Sequence, residues 1–181
     1  MKKTRKSEAK ETRKSGRKRL ILLCGLPGTG KSSVAHRIAE KTGSLVFSTD
    51  VVRKELFSKP KYTENEKRMV YNLLFEMAER FLDSSDTVVM DGTFYKKELR
   101  ERAKEIADKN GSNFHIIEVV CCESDAKQRL GRRILNANIS DADFCVHKKI
   151  KGEFESIKEE HLVLDTGKVW EKKLGRFLDS I

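Results

Sequence analysis

Short apolar runs alternate along the chain with longer stretches in which apolar residues recur at helical spacing. The runs predict β-strands at 20–24, 45–48, 87–90, 114–121 and 161–164. The stretches between them predict helices at 31–42, 51–57, 63–83, 95–109, 124–137, 144–159 and 168–180. Strands that are short and apolar, with helices between them, favour an α/β fold in three layers, a five-stranded parallel sheet with helices on both faces.

The helix-spaced apolar residues of the longest predicted helix are Met69, Leu73, Leu74, Met77 and Phe81. Side chains three and four positions apart lie on one face of a helix. This spacing supports the helical assignment of 63–83.

Positive charge is concentrated at the start of the chain. The 181 residues carry a net charge of +10, and residues 1–19 alone hold ten Lys or Arg against two Glu. Apart from Met1 and Ala9 this segment has no apolar residue, so it cannot bury enough surface to offset its ordering entropy. We therefore predict a disordered basic tail at 1–19 and a single folded domain at 20–181. The tail is suited to nucleic acid or another acidic surface, or it is a solubilising or targeting extension.

The sequence gives little support for a membrane protein, a secreted protein or a metal site built from cysteine and histidine. No apolar run approaches the roughly 20 residues that a membrane helix needs, and no apolar stretch follows the basic start as in a signal peptide. The four cysteines lack metal-ligand spacing, and of the four histidines only His147 lies close to a cysteine. We expect reduced core thiols and a cytoplasmic protein.

The stretch GLPGTGKS, which follows the first predicted strand, matches the phosphate-binding pattern G-x-x-x-x-G-K-[ST] at every fixed position. Its glycines let successive backbone N–H groups point inward, and the helix that begins behind it adds partial positive charge. Lys31 is expected to reach the β- and γ-phosphates, and Ser32 to ligate Mg²⁺. The predicted nucleotide cradle comprises Gly25, Leu26, Pro27, Gly28, Thr29, Gly30, Lys31, Ser32 and Ser33.

Asp91 ends the apolar run at 87–90, as the aspartate of a Walker B strand does. In a P-loop fold this strand lies near the first, so Asp91 is a second candidate ligand for Mg²⁺. The alternative is an aspartate that only begins a turn with Gly92. Motor and transport ATPases usually carry a glutamate beside this aspartate, and here Gly92 and Thr93 follow instead. A kinase, in which a substrate hydroxyl replaces water, therefore fits better.

A kinase needs a carboxylate beside the acceptor hydroxyl and arginines near the transferred phosphate. Asp50 follows the strand at 45–48, which we expect to flank the P-loop, and Arg53 lies three residues on. The alternatives are that Asp50 caps a helix and that Arg53 is a surface residue. Arg129, Arg132 and Arg133 can share one helix face near the phosphate, although a solvated basic face is equally compatible. Gly131 is expected to interrupt this helix.

Four segments together resemble the small AAA-type P-loop kinases, whose relatives include zeta-toxin, gluconate kinases and the 5′-hydroxyl kinase domain of polynucleotide kinase. The segments are GLPGTGKSS, LVFSTDVVRKEL, TVVMDGTFYKKELR and the A-x-x-R-L-x-x-R pattern at 126–133. The resemblance covers residues 20 to about 166.

The resemblance implies ATP and Mg²⁺ as cofactors, bound by Lys31 and Ser32, with Asp50 activating the acceptor hydroxyl. It implies that Arg53 binds the substrate and that Asp91 and Thr93 lie near the acceptor. Arg129 and Arg133 correspond to lid arginines, with Arg132 as the alternative. Residues 140–143 resemble the motif that follows the lid, and 161–166 resemble the final strand, whose end borders the adenine.

Three functions remain open at this level. The first is a kinase acting on a hydroxyl of a small metabolite or nucleoside. The second is a polynucleotide 5′-hydroxyl or RNA-linked kinase that uses the basic tail as an anchor. The third is a nucleotide-dependent switch without catalysis.

Overall fold

The computed structural model describes residues 18–84, 87–137 and 142–181, together with their side chains except those of 133–137 and 142–143. The described residues form one sheet of five parallel strands in the order β2-β3-β1-β4-β5. The strands are β1 (Arg19–Cys24), β2 (Leu45–Ser48), β3 (Thr87–Asp91), β4 (Asn113–Val120) and β5 (Leu162–Asp165). The predicted parallel sheet is confirmed, and each strand boundary agrees with its prediction to within one residue.

Helices follow the strands in alternation. They are α1 (Lys31–Thr42), α2 (Thr49–Leu56), α3 (Glu64–Leu82), α4 (Lys97–Lys109), α5 (Glu123–Ala137), α6 (Ala142–Glu153) and α7 (Glu171–Ser180). Along β1, Leu20, Leu22 and Cys24 enter a core shared with α2, α3 and α4. Ile21 and Leu23 enter a second core shared with α1 and α7. The sheet is thus buried on both faces, which explains why its strands are continuous apolar runs.

The face of α3 that packs against the sheet is only partly the one the sequence suggests. Its buried residues are Val70, Tyr71, Leu74, Phe75, Ala78 and Leu82. Met69 is 51% exposed and Phe81 is 40% exposed. The helix carries apolar residues around more than half of its circumference, and the position of the sheet selects the buried stripe.

Some details of the prediction differ from the structure. Helix α6 ends at Glu153 rather than at 159, because Phe154 and Ile157 turn inward to pack against the core. Helix α5 runs through Gly131 without a break. Strand β1 begins at Arg19, one residue earlier than predicted, and the Arg19 guanidinium donates to the carbonyl of Ile181 at 3.0 Å. Residues 18 and 19 therefore belong to the fold and not to the tail.

Residues 1–17 and 138–141 lie outside the described residues, and so do the predictions of a disordered tail and of the motif at 140–143. Among the described residues, no helix combines the length and apolar character that crossing a membrane requires. The described residues also contain no group of three or more His, Cys, Asp or Glu side chains placed to bind a metal ion.

Arg100 is a fully buried arginine that joins two loops near the carboxyl ends of the strands. Its Nη1 donates to the Phe94 carbonyl at 2.9 Å, and its Nη2 donates to the carbonyls of Glu155 and Ser156 at 3.0 and 3.2 Å. A planar guanidinium can serve several carbonyls at once, which a point charge cannot. Arg100 therefore fixes the segment after β3 against the segment after α6.

We expect Arg100→Met to lower the free energy of unfolding by about 2 to 4 kcal/mol, because it leaves buried carbonyls without donors. Urea unfolding measures the change. Lys104→Met, on the exposed side of the same helix, is the matched control and should stay within about 0.5 kcal/mol of the wild type. An Arg100→Met protein as stable as the control would contradict the role assigned to Arg100.

Candidate functional site

The loop between β1 and α1 has a backbone shape that requires glycine. Gly25 has φ +146°, and a Cβ there would lie 2.3 Å from the Val119 carbonyl oxygen. Gly28 has φ +84°, and a Cβ there would lie 2.9 Å from the carbonyl oxygen of Ala126. Gly30 caps α1 without any side-chain hydrogen bond to the first turn. The exposed N–H groups of this turn, with the helix dipole, favour an anion such as a phosphate.

Ser32 and Asp91 are brought together as the sequence predicts. The Ser32 hydroxyl donates to Asp91 Oδ2 at 3.0 Å, although 59 positions separate the two residues. The parallel pairing of β1 with β3 causes this, because it aligns Leu23 beside Asp91 at the ends of the strands. Lys31 folds back onto its own loop and donates to the Leu26 carbonyl at 2.9 Å.

The surroundings of Asp91 fit a divalent cation. Asp91 is only 4% exposed, and burial raises the pKa of its carboxyl group against the opposing effects of Lys31 and Ser32. A buried carboxylate is costly until a positive charge compensates it. A hydroxyl and a carboxylate are also oxygen ligands of the kind that Mg²⁺ prefers. The alternative that Asp91 merely begins a turn is thus disfavoured.

Asp50 is not the cap of its helix. Ser48 is the N-cap of α2, and its hydroxyl accepts a hydrogen bond from the Asp50 N–H at 3.3 Å. Asp50 lies in the first turn and is exposed. It lines a cleft with Lys31, Ser32, Asp91 and Thr93. Strand β2 pairs with β3 and not with the strand that precedes the P-loop, and its end brings Asp50 to the same cleft as the P-loop, as predicted.

Arg53 is buried and not a surface residue, being 8% exposed. Its guanidinium lies 4.8 Å from the centroid of the Tyr62 ring, and its Nη1 lies 4.0 Å from Glu66 Oε2. Nη1 has no hydrogen-bond partner among the described residues. The Glu66 carboxylate accepts from the backbone N–H groups of Lys61 and Tyr62, and its own N–H donates to the hydroxyl of Thr63, the N-cap of α3.

Of the three clustered arginines, Arg129 reaches the P-loop. Its Nη1 and Nη2 donate to the hydroxyl and the carbonyl of Thr166 at 2.7 and 2.9 Å. Nη1 also lies 3.3 Å from the position of a Cβ on Gly30. Arg132 is exposed, and the Arg133 side chain lies outside the described residues. Among the arginines of this cluster whose side chains the structure describes, Arg129 is therefore the one that lies against the P-loop.

Several residues near this cleft escaped the sequence analysis. The Thr166 hydroxyl donates to the Thr29 carbonyl at 2.6 Å, which ties the end of β5 to the P-loop. His147 is buried, and its Nδ1 donates to the Pro27 carbonyl at 2.7 Å, which ties α6 to the same loop. Tyr71 hydrogen-bonds Thr93 across the cleft wall at 3.1 Å. A single polar residue on a helix or after a strand has no sequence pattern that would predict such a contact with a distant residue.

Comparison with solved structures supports a kinase-type fold. An APS kinase from Mycobacterium tuberculosis, in complex with AMPPNP and APS, has a TM-score of 0.68 at 19% identity over 91% of this chain and 97% of that one. A gluconokinase from Sinorhizobium meliloti has a TM-score of 0.64 at 19% identity over 91% and 96% of the two chains. At such low identity the likeness concerns the fold alone.

Sequence comparison supplies the family. An uncharacterized protein of Mycobacterium tuberculosis is 34% identical over 101 residues, which are 49% of this chain and 20% of that protein. The chain thus spans about a fifth of the length of the curated relatives it matches. The model of the AAA domain family AAA_33 matches residues 20–157. With its P-loop and its kinase-like fold, the chain belongs to this AAA domain family.

Proposed function

We propose that the chain is an ATP-dependent phosphotransferase that moves the γ-phosphate of ATP to a hydroxyl group of a small metabolite or nucleoside. The observation that carries the proposal is the presence of Asp50 in the cleft beside Lys31. Because Ser48 caps α2, the Asp50 carboxylate is not needed to cap its own helix. A carboxylate that takes the proton of an alcohol is what a kinase requires at this place.

In the proposed reaction, the loop N–H groups and Lys31 hold the β- and γ-phosphates. Asp50 accepts the proton of the acceptor hydroxyl as its oxygen forms a bond to the γ-phosphorus. The bond from that phosphorus to the β–γ bridging oxygen breaks, and ADP leaves with the electron pair. Mg²⁺, when bound by Ser32 and Asp91, supplies positive charge to the phosphate oxygens.

Arg129 is suited to the charge that develops during transfer. It already lies beside Gly30 of the loop, held by two hydrogen bonds to Thr166. A guanidinium held in place costs little reorganisation when the phosphate oxygens become more negative. Arg129 is therefore our candidate for the catalytic arginine.

Arg53 supports an oxygen-rich or anionic acceptor. A buried guanidinium nitrogen without a partner carries a desolvation cost that a ligand oxygen would remove. Glu66 lies at 4.0 Å, beyond hydrogen-bonding distance, so it balances charge without satisfying this nitrogen. Arg53 is not among the residues that line the cleft with Asp50. It lies three positions further along α2, and the proposal is that it binds a second oxygen of the acceptor.

We expect Arg53→Met to raise the KM for the acceptor about 10- to 100-fold, with the KM for ATP unchanged, because one charge-assisted hydrogen bond is lost. Steady-state kinetics measure both constants. Lys54→Met, the exposed neighbour on α2, is the control and should leave both unchanged. Parallel losses of ATP binding and of stability in Arg53→Met would instead mean that the arginine only holds the fold.

The experiment that tests the function follows γ-labelled phosphate from ATP into two acceptor pools. One pool contains hydroxyl-bearing metabolites and nucleosides, and the other contains 5′-hydroxyl RNA and DNA oligonucleotides. Wild type and Asp50→Asn are compared. Label in the first pool that disappears in the variant supports the proposal.

The second pool addresses the basic tail, which holds ten Lys or Arg in residues 1–19. Label in oligonucleotides would favour a polynucleotide kinase. A chain lacking residues 1–17 should then lose salt-sensitive RNA binding, and the deletion stops there because β1 begins at Arg19. Tight ATP binding without label in either pool would overturn the proposal in favour of a nucleotide-dependent switch.

A further inference from the structure

The turn after β3 is held in an unusual backbone conformation at the wall of the cleft. Phe94 has φ +41°, a left-handed value that is uncommon for a large side chain. Its ring is buried against Tyr71 and Phe75, with ring centroids 5.3 and 6.3 Å away. Strained backbone of this kind persists only where the surroundings determine it, and it is frequent at functional sites.

Hydrogen bonds hold this turn on both sides. Its Phe94 carbonyl accepts from Arg100, and its Phe94 N–H donates to the Tyr71 hydroxyl oxygen at 3.3 Å. The Thr93 carbonyl accepts from the Gly25 N–H at 3.2 Å, which joins the turn to the P-loop. The Thr93 hydroxyl is thus carried on a rigid backbone at the edge of the cleft.

The hydrogen bonds of Tyr71 give the bond to Thr93 a direction. An N–H group can only donate, so the Tyr71 oxygen accepts from Phe94. The phenolic proton then needs an acceptor, because Tyr71 is only 7% exposed, and Thr93 Oγ1 lies 3.1 Å away. Burial raises the pKa of Tyr71 to about 12, so this proton is present throughout the working pH range.

Thr93 Oγ1 therefore accepts from Tyr71, and its own hydrogen must point elsewhere. Among the described residues, no other side chain hydrogen-bonds this oxygen. Thr93 is partly exposed and lines the cleft with Asp50. The hydroxyl hydrogen of Thr93 is thus available to an acceptor atom of a ligand in the cleft.

We propose that Tyr71 is a positioning residue that makes the Thr93 hydroxyl an obligatory hydrogen-bond donor to the acceptor substrate. This inference rests on the proposed kinase function and narrows its substrate class. Asp50 receives a hydrogen from the reacting hydroxyl, whereas Thr93 supplies one to a neighbouring oxygen. The acceptor is then an alcohol with a second, lone-pair-bearing oxygen close to the reacting hydroxyl, as in a sugar acid, a sugar or a nucleoside ribose.

The first arm of the test needs no substrate. It compares the urea midpoints of Tyr71→Phe, Thr93→Val and the double variant. If the two hydroxyls share a bond, the double variant should unfold at the midpoint of Tyr71→Phe alone. Two independent shifts that add would overturn the proposal.

If Tyr71→Phe does not fold, Thr93→Val and Thr93→Ser decide this arm. Thr93→Val should lower the midpoint, and Thr93→Ser, which keeps the hydroxyl, should restore it. An unchanged midpoint in Thr93→Val would overturn the shared bond. Thr87→Val, at the start of the preceding strand β3, is the matched control, because the buried Thr87 hydroxyl has no hydrogen-bond partner among the described residues.

The second arm measures transfer from γ-labelled ATP to a pool of D-gluconate, D-ribose and adenosine. Tyr71→Phe and Thr93→Val should each lose about 10-fold or more in kcat/KM for the acceptor, since Thr93→Val removes the donor and Tyr71→Phe removes the hydroxyl that orients it. The double variant should lose no more than the larger single loss. Thr93→Ser, which restores the hydroxyl, should recover most of the activity that Thr93→Val loses. Thr87→Val should keep activity, and the KM for ATP should stay constant in all variants.

Each outcome has a separate meaning. Losses that multiply in the double variant, or a loss in Thr93→Ser as large as in Thr93→Val, would overturn the role of Tyr71. A wild type that labels none of these acceptors would count against the kinase function with this substrate class. In that case the unfolding midpoints still support or overturn the bond from Tyr71 to Thr93.

Discussion

Asp50→Asn should lose phosphoryl transfer by about 10²- to 10⁴-fold while ATP binding stays intact, because the amide keeps the shape of the carboxylate and loses its ability to take a proton. Asp50 is exposed and does not cap its helix, so the substitution should not disturb the fold. Labelled-phosphate transfer measures the loss, and equilibrium titration with a fluorescent ATP analogue measures binding.

Glu55→Gln is the matched control for Asp50→Asn. Glu55 lies on the same helix, is exposed and is similarly converted from a carboxylate to an amide. Its transfer rate should equal that of the wild type. If Asp50→Asn binds ATP as weakly as it transfers phosphate, Asp50 shapes the nucleotide site and is not the base. Full transfer in Asp50→Asn would remove it from the mechanism.

Lys31→Ala should lose ATP turnover by about 10²- to 10³-fold, because removal of one preorganised donor from a developing negative charge has this order of effect. Lys31 begins α1, and its ammonium group donates to the Leu26 carbonyl at 2.9 Å, so it lies against the loop that would hold the phosphates. Single-turnover rates at saturating ATP separate the chemical step from weaker binding.

The control for Lys31→Ala lies at the other end of the same helix. Lys41→Ala removes an equal charge from the last turn of α1, far from the loop along the helix axis. Its turnover should match that of the wild type, apart from a small loss of stability from the helix dipole. Wild-type turnover in Lys31→Ala would mean that the P-loop takes no part in the reaction.

The sequence by itself determined those features that depend on residues close together along the chain. The five strands were predicted to within one residue, because a buried strand between two turns has a local signature in its apolar run. The parallel α/β fold follows from the alternation of these strands with helices, and it is confirmed. The phosphate-binding loop at 25–32 could be recognised equally well, because its glycines, its lysine and the helix that follows lie next to one another in the sequence.

The limits of local patterns appear in α3 and α6. Helix α3 has apolar residues on more than one stripe, and Tyr71 rather than Met69 faces the sheet. Helix α6 ends early because Phe154 contacts the core. In both cases the free energy of burial against distant residues outweighs the local helical preference.

The candidate site shows the same division. The residue types at Lys31, Ser32, Asp50 and Asp91 were recognisable from motifs, but their roles were not settled by them. Strand order decided that Ser32 meets Asp91, and Ser48 decided that Asp50 is not a cap.

What the sequence by itself determined is the set of elements, the phosphate loop and the chemical kinds of the candidate residues. Only the tertiary structure decided that Arg53 is buried, with a nitrogen that has no hydrogen-bond partner among the described residues, and that Arg129 lies against the loop. It also decided that the Tyr71 hydroxyl hydrogen-bonds both Thr93 and the Phe94 N–H. The physical reason is that each of these hydrogen-bond states depends on residues many positions apart, which only the packing of the sheet and its helices brings within bonding distance.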